Sequence, residues 1–212
     1  MQRTRKQSIT TKTKHWTVDR ADFLDSDERR MLMEITEEMA REDAAAGRHT
    51  WGARWMLVHL AMYSGLRVGE IARLQVQDLN LGANPSVRVW NGKGGKHRTV
   101  YIDHRLRDHL SQFTQGMHPT RTPFPTGAKA LYFSFKRALT EANLLRPTSH
   151  RGRQLSIHSA RHTYATLLLA RTGNIRYVQK QLGHSHLSTT AAYADILPEL
   201  NGTLANMILD EP

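Results

Sequence analysis

Tyr193 follows His184 through a segment of small hydroxyl residues and alanines, HSHLSTTAAY. A free tyrosine hydroxyl has a pKa of about 10, so it is a poor nucleophile near neutral pH. Chemistry at this residue would need positive neighbours that stabilise a phenolate and the charge of a transition state. Most helical tyrosines are half-buried packing residues. Tyr193 is therefore a candidate nucleophile only if the rest of the chain supplies the cations.

The segment IHSARHTYAT places two informative spacings on one predicted helix. His158 and His162 stand one helical turn apart, as in zinc hydrolases, but Ser159 occupies the place where the zinc signature needs a glutamate. No acidic cluster nearby offers a third ligand, so we predict no metal site. His158 and Arg161 share a face near the helix start, where free N–H groups and the dipole favour an anion such as phosphate.

Two further segments place cations where a phosphate would bind. In SGLRVGEIARL, Arg67 and Glu70 form either a surface ion pair or an arginine that a carboxylate orients towards a phosphate. In NGKGGKHR, Lys93 stands among glycines at a predicted hairpin tip, either as a solvated charge or as a group that reaches a ligand. That segment lacks the spacing of a nucleotide-binding phosphate loop, so we predict no nucleotide site.

The net charge narrows the class of partner. The 212 residues carry 30 Lys and Arg against 19 Asp and Glu, a formal charge of +11. Nucleic acid or an anionic membrane surface is the usual partner of such a chain, although a merely basic soluble protein is the alternative. The cations are spread along the chain among polar loops, which favours a broad phosphate-binding face over a membrane helix.

Other functional classes are excluded by composition. The chain has no cysteine, which excludes disulfides, cysteine–zinc sites and thiol catalysis. No apolar run approaches the roughly 20 residues that span a bilayer. The basic N-terminus has no apolar core, so it does not resemble a secretory signal.

The periodicity predicts a mainly α domain with a small antiparallel β-sheet, an α+β fold. Residues 1–20 are predicted to be a flexible basic arm and residues 21–212 one domain. The sheet is a hairpin of SVRVW and HRTVYI around the glycine-rich turn. The predicted helices begin at a cap of Asp25 or Ser26, at Trp51, just after Gly65, and in the segments DHRLRDHLSQF, AKALYFSFKRALTEANL, SIHSARHTYATLLLAR, NIRYVQKQL and LSTTAAYADIL.

In chain order, SGLRVGEIARL, GKGGKHR, IHSARHTYAT and LGHSHLSTTAAY resemble the motifs of the tyrosine recombinases, the phage-integrase and Xer-type family. The resemblance runs from about Asp25 to Tyr193 and beyond. It implies the catalytic domain of a site-specific DNA recombinase or integrase of mobile DNA. Such an enzyme cleaves and rejoins strands through a covalent 3′-phosphotyrosyl intermediate, with no metal, ATP or other cofactor.

The resemblance also implies a role for each motif residue, with Glu70 as a supporting acid. Tyr193 would be the nucleophile and Lys93 the general acid for the leaving 5′-hydroxyl. The two arginines would hold the non-bridging oxygens, and the histidines would donate hydrogen bonds, with His158 also managing the tyrosine proton. The implied catalytic positions are Arg67, Lys93, His158, Arg161, His184 and Tyr193.

We expect double-stranded DNA as the partner and self-association into a dimer or tetramer on it. The expected setting is the cytoplasm of a bacterial host, with the gene carried by the host, a phage or a plasmid. Residues 197–212 would form a helix that is either exchanged between subunits or folded onto its own core. The residues expected to contact DNA are Lys96, Arg98, Arg151 and Arg153, with Arg3, Arg5 and Lys6 in the arm.

The sequence departs from the family pattern at its N-terminus. Most members carry a separate core-binding domain of about a hundred residues that completes a clamp around DNA. Here the chain is either an excised catalytic domain or a short single-domain form, and Met1 with the basic arm favours the short form. A regulator that binds DNA without recombining it is disfavoured by the complete set of catalytic residues. A topoisomerase-like enzyme is disfavoured by the short chain and the Xer-like motifs.

Overall fold

The computed structural model describes residues 18–91, 96–149 and 153–195. Within these ranges the protein is mostly helical with one small antiparallel sheet, which confirms the predicted fold class. The strands are β1 (Leu79–Asn80), β2 (Ser86–Asn91) and β3 (Lys96–Tyr101). The helices are α1 (Ser26–Ala45), α2 (Thr50–Ser64), α3 (Val68–Ile71), α4 (His104–Phe113), α5 (Ala128–Glu141), α6 (Ile157–Thr172), α7 (Ile175–Leu182) and α8 (Ser188–Ala194).

The helix boundaries follow local capping chemistry. Asp25 caps α1 by accepting from the Glu28 amide at 2.9 Å, and the Glu28 carboxylate accepts from the Asp25 amide at 3.0 Å. Helix α2 ends at Gly65, whose φ of +61° is in the left-handed region. A Cβ on Gly65 would lie 2.3 Å from Cδ1 of Tyr164 on α6. Glycine therefore allows both the turn and the close approach of α2 to α6.

The sheet has the order β1-β2-β3 with antiparallel pairing throughout. Asn91 pairs with Lys96, so β2 and β3 are paired up to both sides of residues 92–95, where the sequence predicts the turn. The sequence did not predict β1 or the 3-10 helix Val76–Asp78 before it. A strand of two residues is too short to show an alternating pattern.

Two hydrophobic clusters meet along α6. The larger joins α1, α2, α4 and α5 to the sheet, with Leu60 and Phe135 fully buried. The smaller joins α6, α7 and α8, and it includes Val178 and Tyr193. The tyrosine thus contributes to the packing of the second cluster as well as being the candidate nucleophile.

Val18 is buried in the smaller cluster, and a 3-10 helix, Arg20–Asp22, follows it. Residues 18–20 therefore belong to the folded body, although the sequence pattern placed them in the arm. The rest of the predicted arm and the predicted C-terminal helix at 197–212 lie outside the described residues. Among those described, no helix is both long and apolar enough to cross a membrane.

Candidate active site

Arg161 is the buried cation at the centre of the site. It lies in the first turns of α6 with 6% of its surface exposed. Its guanidinium donates to the carbonyl oxygens of Gly65 at 2.5 Å and Leu182 at 2.7 Å. Burial, together with the charge of Arg67, lowers its pKa to about 10, so it remains protonated at neutral pH. Arg161 therefore ties the end of α2 to the end of α7 while keeping its positive charge.

Arg67 precedes α3 and leaves 44% of its side chain exposed. Its amide donates to Glu70 at 2.8 Å, and its guanidinium donates to the same carboxylate at 3.1 Å. Burial would raise the pKa of Glu70, but the hydrogen bonds and charges of Arg98 and Arg67 outweigh it and lower the pKa to about 2. An ionised Glu70 thus orients an arginine that still faces solvent.

Arg98 has a different place from the one the sequence predicted. Its side chain is 8% exposed, and both of its terminal nitrogens donate to Glu70 at 2.8 Å. Its Nε donates to the Gln181 carbonyl at 3.0 Å. All three guanidinium nitrogens of Arg98 thus donate to protein groups inside the fold. Arg98 is therefore an internal residue and not the surface DNA contact that was expected.

His158 lies on a cleft of about 710 Å³ between α5 and α6. Partial burial lowers its pKa, and the nearby charges of Arg161 and Arg153 act in the same direction. A neutral imidazole at this place has one N–H to donate. Arg153 is exposed at the same cleft.

The cleft also has lining residues that the sequence analysis missed. Tyr132 and Lys136, four residues apart on α5, face it, and Lys136 donates to Gln154 at 2.7 Å. Their spacing on one helix face was the available signal. Nothing local indicated that α5 would lie opposite the start of α6.

His184 follows Gly183, whose φ of +66° ends α7. Its Nδ1 lies 3.0 Å from the Thr190 hydroxyl on α8. Burial lowers its pKa to about 4, with Arg161 and Arg67 adding to the effect. His184 is therefore neutral at pH 7, and its ring lies parallel to that of Tyr193 with centroids 6.5 Å apart.

Tyr193 is 1% exposed, and its hydroxyl lies 2.9 Å from Nδ1 of His162. Burial raises the pKa of Tyr193, whereas the charges of Arg161 and Arg67 act to lower it. Sequence reasoning considered His162 only as a zinc ligand. The structure instead makes it a partner of the candidate nucleophile, a contact between α6 and α8 that sequence spacing does not reveal.

Several predicted site residues lie outside the described part of the chain. Their roles stay predictions. They are Lys93, Arg151, Arg3, Arg5 and Lys6, together with the side chain of Lys96. Within residues 18–91, 96–149 and 153–195, no three His, Asp or Glu side chains are grouped as a metal ion would require.

The chain is similar in sequence to known recombinases. A tyrosine recombinase of Pseudothermotoga lettingae is 30% identical over 193 residues, which are 90% of this chain and 62% of that protein. Tyrosine recombinase XerD of Ralstonia nicotianae is 32% identical over 161 residues, or 70% of this chain and 50% of that protein. The chain thus spans about half to three fifths of the length of these relatives.

Solved structures share the fold. The XerA recombinase crystal structure matches 85% of this chain and 64% of its own, with a TM-score of 0.63 and 24% identity. XerH bound to its difH substrate matches 88% of this chain and 53% of its own, with a TM-score of 0.66 and 21% identity. The catalytic domain of bacteriophage HP1 integrase matches 86% of this chain and 92% of its own, with a TM-score of 0.58 and 22% identity.

The family model described as the phage integrase family matches residues 22–199. This range contains every segment on which the sequence resemblance rested, and the family part of that prediction is confirmed. On the sequence match over most of its length, with a shared fold in support, the chain belongs to the phage integrase family.

Proposed function

We propose that this chain is the catalytic domain of a site-specific recombinase that cuts and rejoins DNA through Tyr193. One observation carries the proposal. Arg161 donates to the carbonyls of Gly65, two residues before Arg67, and of Leu182, two residues before His184. The His184 ring lies parallel to that of the buried Tyr193, so the fold gathers both arginines near this tyrosine. Packing a tyrosine in the core needs no such pair of cations, whereas attack on a phosphodiester does.

The proposed step exchanges one phosphate ester for another. The Tyr193 oxygen attacks the scissile phosphorus, forming an O–P bond as the bond to the 5′-oxygen breaks. Arg67 and Arg161 stabilise the charge on the non-bridging oxygens. Lys93 donates the proton that the leaving 5′-oxygen needs. Attack by a 5′-hydroxyl of the partner strand reverses the step, so the bond energy is conserved and ATP is not required.

The histidines have separate parts in this proposal. His158 and His184 both have lowered pKa values, so each acts as a neutral donor of one hydrogen bond to the phosphate. The tyrosine proton leaves to a base, for which His158 is the candidate from the family resemblance. The 2.9 Å contact with Tyr193 makes His162 a second candidate.

Cleavage would require α8 to move, because the Tyr193 hydroxyl is buried in the described conformation. Helix α8 has only seven residues, and its N-cap residue, Leu187, makes no side-chain capping bond. A short helix without a side-chain cap is weakly stabilised by itself. We propose that DNA binding releases α8 so that the phenol reaches a phosphate held by the arginines.

The proposed substrate is double-stranded DNA, placed over the cleft that Lys136, Arg153 and His158 line. Assembly into a dimer or tetramer on DNA is part of the proposal, with residues 197–212 as a candidate exchanged segment. A cytoplasmic location in a bacterial host is part of the same proposal. Integration, excision and inversion are all compatible with this chemistry.

A covalent-capture experiment tests the proposal. The DNA site is first selected from a random-sequence library, then prepared with a nick so that cleavage traps the protein on DNA. We expect an adduct that survives denaturing electrophoresis for wild-type protein. We expect none for Tyr193→Phe and a normal amount for Tyr101→Phe, which alters an exposed tyrosine.

The other outcomes identify the alternatives. Specific binding without any adduct would contradict the recombinase proposal and support a DNA-binding regulator. Adduct formation with relaxation of supercoiled plasmids that lack the selected site would instead support a topoisomerase-like enzyme.

A further inference from the structure

Arg98 occupies a junction between three elements of the candidate site. It is the third residue of β3, the strand that follows the predicted turn at Lys93 in the sequence. Its two terminal nitrogens each donate a hydrogen bond of 2.8 Å to a carboxylate oxygen of Glu70, near the start of α3. Its Nε donates to the Gln181 carbonyl at the end of α7. One side chain therefore joins the base of the hairpin to two other elements.

The end of α7 packs closely against the side chain of Arg98. A Cβ on Gly183 would lie 2.8 Å from Cδ of Arg98, closer than real Cβ contacts, and 3.0 Å from its Nε, a tight contact. The side-chain oxygen of Gln181 also accepts from the Tyr101 amide of β3 at 3.1 Å. The strand and the helix end are thus joined by two hydrogen bonds and a tight contact.

The elements that Arg98 joins carry the catalytic candidates. Glu70 is shared between Arg98 and Arg67, so the position of this carboxylate decides where Arg67 points. The α7 end carries the Leu182 carbonyl, which accepts from Arg161, and His184 follows two residues later. A shift of Arg98 would therefore change the positions of Arg67, Arg161 and His184.

We propose that Arg98 is a positioning residue for DNA strand cleavage: its buried fork sets Arg67 through Glu70 and sets His184 through the end of α7. The proposal rests on the proposed function. This positioning requires the planar guanidinium of arginine. A lysine has the same charge but lacks the paired donors that bind both carboxylate oxygens.

The first experiment compares Arg98→Lys with wild type on the selected DNA site. We expect adduct formation at saturating DNA to slow by about ten-fold or more, since small misplacements of reacting groups are costly. We expect DNA affinity to change by less than about three-fold, with an unchanged dependence on salt. Rates are compared at a temperature where circular dichroism shows both proteins folded.

A cleavage rate equal to wild type would overturn the positioning role and leave the cleavage proposal standing. Weakened DNA binding with a salt slope reduced by about one would also overturn it, because that result marks a direct phosphate contact. If wild-type protein itself forms no adduct, the proposed function fails first, and the positioning role fails with it.

A second pair of variants moves Arg98 without replacing it. Gly183→Ala puts a methyl group against its side chain, whereas Gly173→Ala introduces the same kind of left-handed strain at φ +60° with nothing within 4 Å. We expect Gly183→Ala to slow cleavage by about ten-fold relative to Gly173→Ala, as misplacement of reacting groups would. Equal rates in the two variants would contradict the proposal.

Double substitution tests the route through Glu70. If Arg98 acts through this carboxylate, Glu70→Gln combined with Arg98→Met slows cleavage by less than the product of the two single effects. Fully multiplicative effects would overturn that route.

Discussion

The candidate nucleophile is held in a resting state by its surroundings. Burial raises the pKa of the Tyr193 hydroxyl, which lies 2.9 Å from His162. The hydroxyl is thus protonated at neutral pH in this conformation. In the proposed reaction, the hydroxyl is activated by nearness to a phosphate and by the charges of Arg67 and Arg161. In the proposed reaction, Lys93 is the group predicted to protonate the leaving 5′-oxygen.

Lys93→Ala should slow cleavage of normal DNA by about 10²-fold or more, the usual contribution of a general acid. The rate should recover when sulfur replaces the leaving 5′-oxygen, because a thiolate leaves without a proton. Gel assays of adduct formation on the two DNA substrates measure this effect. Lys96→Ala, in the same hairpin, is the matched control and should show no preferential rescue by sulfur. Loss of cleavage on both substrates in Lys93→Ala would remove Lys93 as the acid.

At the scale of elements, α2 and α4 meet through a histidine pair. Nδ1 of the buried His59 lies 3.0 Å from Nδ1 of His109, with the rings of Trp55 and Tyr63 beside His59. Burial lowers the pKa of His59 to about 3, and the charges of His109 and Arg105 act in the same direction. The packing of these helices therefore requires a neutral His59.

This packing predicts acid sensitivity of folding. The pKa of His59 is lower in the folded than in the unfolded protein, so its contribution is complete above the unfolded value of about 6.5 and falls as the pH drops towards about 3. Between pH 7.5 and 5.5 this group should remove about 1.4 kcal/mol from the free energy of unfolding. Urea titrations of wild type and His59→Asn at the two pH values measure it.

The His59→Asn variant should lose less stability over that interval, because asparagine keeps a polar group near His109 but does not titrate. His104→Asn, which replaces an exposed histidine at the start of α4, is the control. An equal loss in wild type and His59→Asn would show that the pair does not control acid stability.

At the scale of the whole molecule, the charge of +11 is organised by the fold. Arg98 is buried with its guanidinium bonded to Glu70, and Arg161 is buried in the candidate site, where it donates to the Gly65 carbonyl. Lys136 and Arg153 face a cleft beside His158. In the proposed function, long-range attraction to DNA therefore depends on the exposed cations, and the phosphate backbone lies over this cleft.

Arg153→Ala should weaken DNA binding and reduce the slope of log affinity against log salt by about one. Gel-shift titrations between about 50 and 200 mM salt measure both effects. Arg41→Ala serves as the control, because Arg41 is exposed on α1 beside Glu37 and does not line the cleft. An identical slope for Arg153→Ala and wild type would exclude the cleft as the phosphate-binding face.

Local sequence patterns were sufficient to predict most of the helices and the β-hairpin. Caps at Asp25 and Ser156 and left-handed glycines at 65, 173 and 183 bound the predicted helices, since such signals act within a few residues. The ordered motifs were sufficient for the family. Strand β1 was not predicted, because two residues are too few to show the alternation of apolar and polar residues that marks a strand.

The partners of the site residues required the folded chain. Arg98 and Gln181 are 83 residues apart in sequence and join at 3.0 Å, and His162 meets Tyr193 across 31 residues. Residue types and spacing indicate that arginines, histidines and a tyrosine are available for phosphate chemistry. Whether a given arginine faces DNA or the interior depends on which elements pack against it. Packing turned Arg98 inward to Glu70 and left Arg67 half-exposed beside the same carboxylate.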